Sequence, residues 1–156
     1  MILYLDTSAL VKLFVREPFD QLVHDLVDGA DLVATSRVAY AEACAALARS
    51  RREGRWRESV FRAALAELKA KWMDFAAVEI DELRAGDLAV KHGLRGFDAI
   101  HLAAALKLQS AMGEEPVTFS TFDTRQTKAA RAEGFKVLPP PRPVRSARPG
   151  KARARL

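Results

Sequence analysis

The chain has 156 residues, of which 49% are hydrophobic, and its 25 basic and 20 acidic residues give a formal net charge of +5. This composition supplies enough apolar material for one domain with its own core and excludes a disordered chain. One cysteine and three histidines exclude a disulfide framework and disfavour a zinc cluster. No apolar run approaches the roughly 20 residues that cross a bilayer, so we expect a cytoplasmic protein without membrane association.

The positive charge is concentrated at one end of the chain. All twenty acidic residues precede Gly134, whereas residues 139–156 contain six basic residues and no acidic one. The rest of the chain therefore has nineteen basic and twenty acidic residues. A segment this rich in proline and arginine cannot bury enough apolar surface to fold. We divide the chain into a folded domain, 1–138, and a flexible basic tail, 139–156, which is either a solubilising terminus or a cationic arm that attracts nucleic acid.

The folded part alternates short apolar runs with longer amphipathic segments. Residues 2–5 form a continuous apolar run, typical of a strand covered on both faces. Ser36 is predicted to cap a long helix and Gly54 to end it, so that this helix and the next form a hairpin. The predicted strands cover 2–5, 31–35, 75–78, 117–120 and 135–138, and the predicted helices 7–15, 18–28, 36–53, 55–72, 81–92, 98–110 and 124–133.

This alternation predicts an α/β fold with a mostly parallel sheet of four to five short strands, whose functional sites lie at the carboxyl ends of the strands. We expect four acidic residues to lie at that edge of the sheet. Asp6 and Asp123 directly follow predicted strands, and Glu42 and Asp98 lie in early turns of helices that can converge there. We therefore expect these four carboxylates to form one cluster.

Several carboxylates in one site require a cation. Two carboxylates about 4 Å apart repel by roughly 4 kcal/mol at an effective dielectric of about 20. Oxygen ligands favour Mg²⁺ or Mn²⁺, which usually meet phosphates in their sites and lower the pKa of a coordinated water. The predicted reaction is metal-dependent hydrolysis of nucleic acid. Neighbouring hydroxyl groups can orient the carboxylates or metal waters, or can simply cap helices: Thr7, Ser8, Ser36 and Thr121.

Single residues of this set also have structural interpretations. Asp6 and Asp98 can act as helix caps, Glu42 as an ion-pair partner of Arg37 or Arg49, and Asp123 as an acid favoured by a helix dipole.

Two further features are open to functional and structural interpretations. His101 is predicted to pack and to hydrogen-bond within its helix rather than to act as a general base. The basic cluster 49–57, which contains Trp56, is either a solvated helix turn or a surface that binds RNA phosphates and stacks a base.

Four short motifs resemble the acidic motifs of PIN-domain ribonucleases, especially VapC-type toxins of bacterial toxin–antitoxin modules. They are LDTSAL at 5–10, AE at 41–42, GFDAIHLA at 96–103 and TFD at 121–123. The resemblance covers about residues 1 to 138, and the basic tail lies outside the family pattern.

The resemblance implies a PIN-like three-layer α/β/α fold, Mg²⁺- or Mn²⁺-dependent endoribonuclease activity on RNA, a homodimer, and inhibition by a VapB-like antitoxin. By this resemblance, Asp6 and Asp98 contact the metal directly, Glu42 ligates it directly or through water, Asp123 is the fourth and most variable acid, and Thr121 positions this end of the site.

Three other functions remain possible on the sequence alone. One is a silent RNA-binding or interaction module, and another is a housekeeping RNA-processing nuclease. A phosphatase with Asp6 as nucleophile is disfavoured, because such enzymes usually carry a second acid two residues on, where this chain has Ser8.

Overall fold

A computed structural model describes residues 1–139, so the predicted basic tail, apart from Pro139, lies outside the described residues. The five predicted strands are all present and form one sheet in the order β3-β2-β1-β4-β5, with every neighbouring pair parallel. The prediction of a mostly parallel sheet is confirmed. The strands are β1 (Ile2–Leu5), β2 (Leu32–Ser36), β3 (Ala76–Val78), β4 (Val117–Ser120) and β5 (Lys136–Leu138).

Within residues 1–139, seven α-helices connect these strands in the predicted order. They are α1 (Thr7–Leu10), α2 (Asp20–Asp28), α3 (Val38–Arg52), α4 (Glu58–Lys71), α5 (Glu82–His92), α6 (Gly96–Met112) and α7 (Thr124–Ala132). Two 3-10 turns, Val11–Leu13 and Trp72–Asp74, follow α1 and α4. None of the helices within residues 1–139 has the length and apolar character that a membrane span requires.

Two cores lie on opposite faces of the sheet, because alternate residues of a strand point to opposite sides. Ile2 and Tyr4 of β1 belong to the core formed with α5, α6 and α7. Leu3 and Leu5 belong to the core formed with α1 to α4. All four side chains are at most 3% exposed, as a central strand covered on both faces requires. This is the three-layer α/β/α architecture that the motif resemblance implied.

The prediction that Ser36 caps α3 is wrong. Ser36 is the last residue of β2 and pairs with Val78 of β3. The next backbone N–H, that of Arg37, donates to the Val78 carbonyl at 3.1 Å, so pairing with β3 continues to the start of the helix. Arg37 then precedes α3 without a side-chain cap.

The predicted hairpin of α3 and α4 is present. The two helices pack against each other, and Gly54, with φ of 71°, lies in the turn between them. A left-handed residue at this place commonly ends a helix, and glycine adopts that conformation without steric cost. The Arg55 N–H donates to the Ser50 carbonyl at 3.0 Å, which holds the turn against the end of α3.

Candidate active site

Asp6 lies where β1 ends and α1 begins. Its backbone N–H donates to the Ser120 carbonyl at 3.1 Å, so the pairing of β1 with β4 extends one residue beyond the strand. Its carboxylate caps α1 by accepting from the Ala9 N–H at 2.9 Å. The same oxygen, Oδ1, accepts from the Ser8 hydroxyl at 2.7 Å, and Oδ2 accepts from the Thr121 hydroxyl at 2.5 Å. Asp6 is thus a helix cap, as its structural interpretation predicted, and two of the predicted supporting hydroxyls, those of Ser8 and Thr121, donate to it.

Burial sets the protonation behaviour of Asp6, which is 3% exposed. Loss of water raises its pKa above the usual aspartate value, although the charge of His101 and the hydrogen bonds from Thr121, Ser8 and Ala9 act in the opposite direction. A buried charge is costly unless it is compensated. The ionised Asp6 carboxylate therefore favours a nearby cation.

Glu42 projects from the second turn of α3 and is half-buried. Its Oε2 accepts from the Thr7 hydroxyl at 2.6 Å and is 2.8 Å from Nε2 of His101. Burial raises the pKa of Glu42, but the hydrogen bonds from His101 and Thr7 outweigh it, and the net pKa is lowered. The alternative of an ion pair with Arg37 or Arg49 is wrong: among the described residues neither arginine pairs with Glu42, and Arg37 pairs with Glu79 at 2.6 Å.

His101 connects Glu42 to the centre of the sheet. Its side chain is buried, with Nδ1 2.9 Å from the Tyr4 hydroxyl of β1 and Nε2 3.0 Å from the Thr7 hydroxyl. Because a carboxylate only accepts hydrogen bonds and Thr7 donates to it, Nε2 must carry the proton that faces Glu42. The prediction that His101 packs is confirmed, but its hydrogen bonds reach β1, α1 and α3 rather than remaining within α6.

Asp98 lies in the first turn of α6 and is half-buried. Within residues 1–139 no hydrogen bond reaches its carboxylate, and the residue that precedes α6 is Arg95, so Asp98 is not a cap. Burial raises the pKa of Asp98, and repulsion from Asp123 and Glu42 raises it further, while Arg95 and His101 oppose this rise. The carboxylates are thus close enough to repel.

Asp123 lies at the N-terminus of α7, where the helix-dipole interpretation placed it, and its side chain also caps the helix. Its Oδ1 accepts from the N–H groups of Arg125 and Gln126 at 2.8 and 2.9 Å. The Gln126 side chain is buried and donates to the Asp98 carbonyl at 3.1 Å. This bond joins the beginnings of α6 and α7, and with them the two acids.

A single cleft of about 440 Å³ joins these segments. Three of the four predicted acids line it, and Glu42 lies behind Thr7 and His101, which also line it. The predicted supporting hydroxyls Thr7, Ser8 and Thr121 bond to Asp6 or Glu42, whereas the buried Ser36 hydroxyl has no hydrogen-bond partner among the described residues. The cleft-lining residues on the acidic side are Asp6, Thr7, Ser8, Asp98, His101 and Asp123.

The model of the PIN domain family matches residues 3–132 of the chain. The chain belongs to the PIN-domain family. This PIN domain is 40% identical over 145 residues to Ribonuclease VapC45 of Mycobacterium tuberculosis (strain CDC 1551 / Oshkosh), covering 88% of this chain and 95% of that relative. The values are the same for Ribonuclease VapC49 of strain H37Rv. Ribonuclease VapC46 of that strain is 34% identical over 138 residues. This PIN domain is therefore of the VapC type.

The PIN fold also appears in a solved structural neighbour. The crystal structure of FitAcB from Neisseria gonorrhoeae matches with a TM-score of 0.61 and 19% identity, over 87% of this chain and 96% of that one. At this identity the likeness concerns the fold alone, and it agrees with the three-layer architecture.

The acids of this PIN domain suit an open site for a hard cation. Within residues 1–139 no three His, Cys, Asp or Glu side chains lie close enough together to hold a metal ion. Mg²⁺ usually takes only one or two protein carboxylates and keeps several waters, so it does not need such a cage. A carboxylate has about four lone-pair sites. Three are used in Asp6 and, within the described residues, none in Asp98, which leaves free oxygen sites on both acids.

Sequence reasoning missed one part of the site, the chain of hydrogen bonds from Tyr4 through His101 to Glu42. A signal was available, because a residue three positions after Asp98 lies on nearly the same helix face. What the sequence did not contain was the partner, since Tyr4 lies 97 positions away on β1.

Proposed function

We propose that this protein is an Mg²⁺-dependent endoribonuclease, with Mn²⁺ as an alternative ion, and the toxin of a VapBC-type toxin–antitoxin module. The observation that carries the proposal is the convergence of acids from separate segments on one cleft, where Asp98 is repelled by Asp123 and Glu42. The names of the relatives, Ribonuclease VapC45 and VapC49, support RNA as the substrate.

The acids have unequal roles in this proposal. Asp6 and Asp98 hold the ion, with Glu42 and Asp123 completing the negative site. A bound Mg²⁺ supplies activation of water and neutralisation of charge on the phosphodiester in the transition state. Ser8 and Thr121 fix the rotamer of Asp6, and Thr7 and His101 fix that of Glu42, so the negative charges are in place before the substrate arrives.

The proposed partners follow from the VapC type. A VapB-like antitoxin inhibits the nuclease, and the chain forms a homodimer in the cytoplasm. Leu83 and Val90, one helical repeat of seven apart on α5, are 82% and 88% exposed. Large apolar side chains on one exposed helix face are typical of association surfaces and support the dimer.

The test is cleavage of a single-stranded RNA by the purified protein with Mg²⁺, with Mn²⁺ and with EDTA. We expect cleavage with either ion and none with EDTA. Asp98→Asn should lose more than about 100-fold in rate, which exceeds the 10- to 100-fold typical of residues that only support a metal ligand. Asp87→Asn, which removes an exposed acid on α5 outside the cleft, is the matched control and should cleave normally.

Two results would contradict the proposal in different ways. RNA binding without cleavage under all three conditions would favour a silent binding module. Cleavage of RNA by a protein whose expression does not arrest growth, and whose activity is not inhibited by the product of a neighbouring small gene, would favour a housekeeping nuclease.

A further inference from the structure

A second group of residues that line the cleft differs in chemical character from the acids. It is formed by the last turns of α3 and the turn into α4, which we call the hairpin wall: Ala46, Arg49, Ser50, Arg55 and Trp56. It combines two guanidinium groups, an indole ring and small side chains in the same cleft as Asp6, Asp98 and Asp123. A mixed surface of this kind suits a polyanion with aromatic groups better than it suits an acidic ligand alone.

Helix geometry places part of the hairpin wall on the same face of α3 as Glu42. Glu42, Ala46 and Arg49 are spaced i, i+4 and i+7 on α3 and therefore share one face. At about 1.5 Å of rise per residue, Arg49 lies roughly 10 Å beyond Glu42 along the helix axis. Ala46, which lies between them and lines the cleft, has a small side chain. A flexible chain that reaches the acids can thus extend along α3 towards Arg49.

Trp56 is held against the protein on one side and lines the cleft on the other. The residue is half-buried and packs against the core beneath α1 to α4. The Gly54 turn and the bond from the Arg55 N–H to the Ser50 carbonyl, at 3.0 Å, fix the backbone immediately before it. A ring held in this way loses little further freedom when a second ring stacks on it.

The charge of Arg49 is not neutralised within the described residues, where no carboxylate forms an ion pair with it. Its neighbour Arg51 differs, because it pairs with Glu58 at 3.0 Å and lies 4.8 Å from the centre of the Phe61 ring. Arg55 pairs with Glu53. Of the three, Arg49 is the arginine with its guanidinium available to a ligand in the cleft.

We propose that the hairpin wall is a nucleotide subsite, in which one RNA base stacks on Trp56 and a phosphate beside the cleaved bond pairs with Arg49. This inference rests on the proposed function. It adds the path that the RNA strand follows beyond the acids. An aromatic ring next to a cation is the usual platform for single-stranded nucleic acid, because every base has a π-face and every nucleotide a phosphate. RNA is favoured over a protein segment because the unpaired charge of Arg49 matches a repeating anion.

The first test uses the two tryptophans as separate reporters, Trp56 in the wall and Trp72 outside it. In Trp72→Phe protein, Trp56 is the sole indole. Titration with a non-cleavable 2′-O-methyl RNA octamer should quench its fluorescence, since stacked bases quench indole emission. In Trp56→Phe protein, the Trp72 signal should stay constant under the same titration. Absence of quenching in the Trp56 reporter at saturating RNA would overturn the stacking assignment.

The second test compares affinities for the same octamer. Trp56→Leu keeps an apolar side chain but removes the ring, and should weaken binding roughly 10-fold. Trp56→Phe should restore most of the affinity. Arg49→Gln should weaken binding and reduce the slope of log affinity against log salt by about 0.7, the value for one phosphate contact on a single strand. Arg52→Gln is the matched control, since it removes an equal charge from the same helix end outside the cleft, and it should leave affinity nearly unchanged.

The outcomes separate this inference from the proposed function. Cleavage with normal KM by Trp56→Leu and Arg49→Gln would overturn the subsite and leave the nuclease intact. Quenching by the octamer in a protein that cleaves no RNA would retain the subsite and reject the nuclease. Wild-type RNA affinity in Trp56→Leu, together with lost affinity for a protein inhibitor, would reassign the wall to that partner. Melting curves of all variants check that the fold is retained.

Discussion

Asp6 and Asp98 line the same cleft, but the protein holds them differently. Asp6 is 3% exposed and accepts three hydrogen bonds, from Ser8, Ala9 and Thr121. Asp98 is half-buried, and its carboxylate accepts none from residues 1–139. Burial raises the pKa of both groups. The first carboxylate has a fixed position, while the second is left with free oxygen sites and an unfavourable charge.

This difference indicates that the two carboxylates contribute differently to stability and to ligand binding. Asp6 contributes to the fold through its cap and its bonds across β1 and β4. Asp98 contributes no hydrogen bond of its side chain to the described structure and is repelled by its acidic neighbours. A group that is destabilising in isolation is best explained by a ligand that compensates for it, and such groups concentrate at functional sites. The following experiments test this comparison.

The largest expected effect is stabilisation by the ion. Mg²⁺ at about 100 times its Kd should raise the free energy of unfolding of the wild type by about 2.7 kcal/mol, because it binds only the folded state. Asp98→Asn should lose most of this response, which calorimetry at increasing Mg²⁺ measures. The Asp87→Asn control should respond as the wild type does. An equal response in Asp98→Asn would remove Asp98 from the ion site.

The next effect concerns the fixed position of Glu42. His101→Leu removes the N–H that faces Glu42 and should lower kcat by about 10- to 100-fold, as expected for a residue that positions a metal-site acid. His101→Gln retains a donor and should recover part of the loss. The control is His92→Leu. It breaks a histidine–glutamate pair outside the cleft, in which Nε2 of His92 lies 2.6 Å from Oε1 of Glu133. Equal kcat losses in His92→Leu and His101→Leu would point to a general loss of stability.

A smaller effect separates the two aspartates by stability alone. Asp6→Ala removes the cap of α1 and leaves the buried Thr121 hydroxyl without its acceptor, partly offset by loss of a buried charge. We expect a net decrease of about 1–2 kcal/mol in the free energy of unfolding, measured by urea titration. Asp98→Ala should change it by no more than about 0.5 kcal/mol, in either direction. Equal losses for both would invalidate the distinction.

The smallest effect is a pH dependence in the absence of divalent ions. A carboxyl group whose pKa is raised on folding stabilises the fold through its bound proton, fully below the unfolded pKa of about 3.9, and this contribution is lost as pH rises through the folded-state pKa. Asp98→Asn removes one such group. Its free energy of unfolding relative to wild type should therefore increase with pH above about 4, by a modest amount because Asp98 is partly solvated. A constant difference across pH 4 to 7 would contradict the raised pKa.

Much of the fold was predictable from local pattern. The apolar run 2–5 indicated a strand buried on both faces, and β1 is the central strand of a parallel sheet. The placement of Asp6 followed from geometry, because parallel strands end at one edge of the sheet. Where the prediction was wrong, the residue type favoured one element locally and pairing between strands placed the residue in another. Ser36 has the chemistry of a helix cap, but pairing with Val78 kept it in β2.

The arrangement within the site was less predictable. The sequence placed Thr7, Ser8 and Thr121 near the acids but could not say which oxygen each would bond. It also left the role of the cluster 49–57 undecided between a solvated turn and a binding surface. Packing of α3 on the core settled the location, because it brings Arg49 and Trp56 to the same cleft as Asp98.

The sequence by itself determined the composition of this protein's site: the acids, their order along the chain, the strand ends from which two of them project, and the family to which the motifs belong. These depend on residue type and short-range periodicity, which one chain records directly. Tertiary structure alone decided that Tyr4 and Thr7 meet His101, that the Asp98 carboxylate is left without hydrogen bonds among the described residues, and that a tryptophan lines the same cleft as three of the acids. Contacts between residues many tens of positions apart depend on how helices pack on the sheet, and local sequence patterns do not predict that packing.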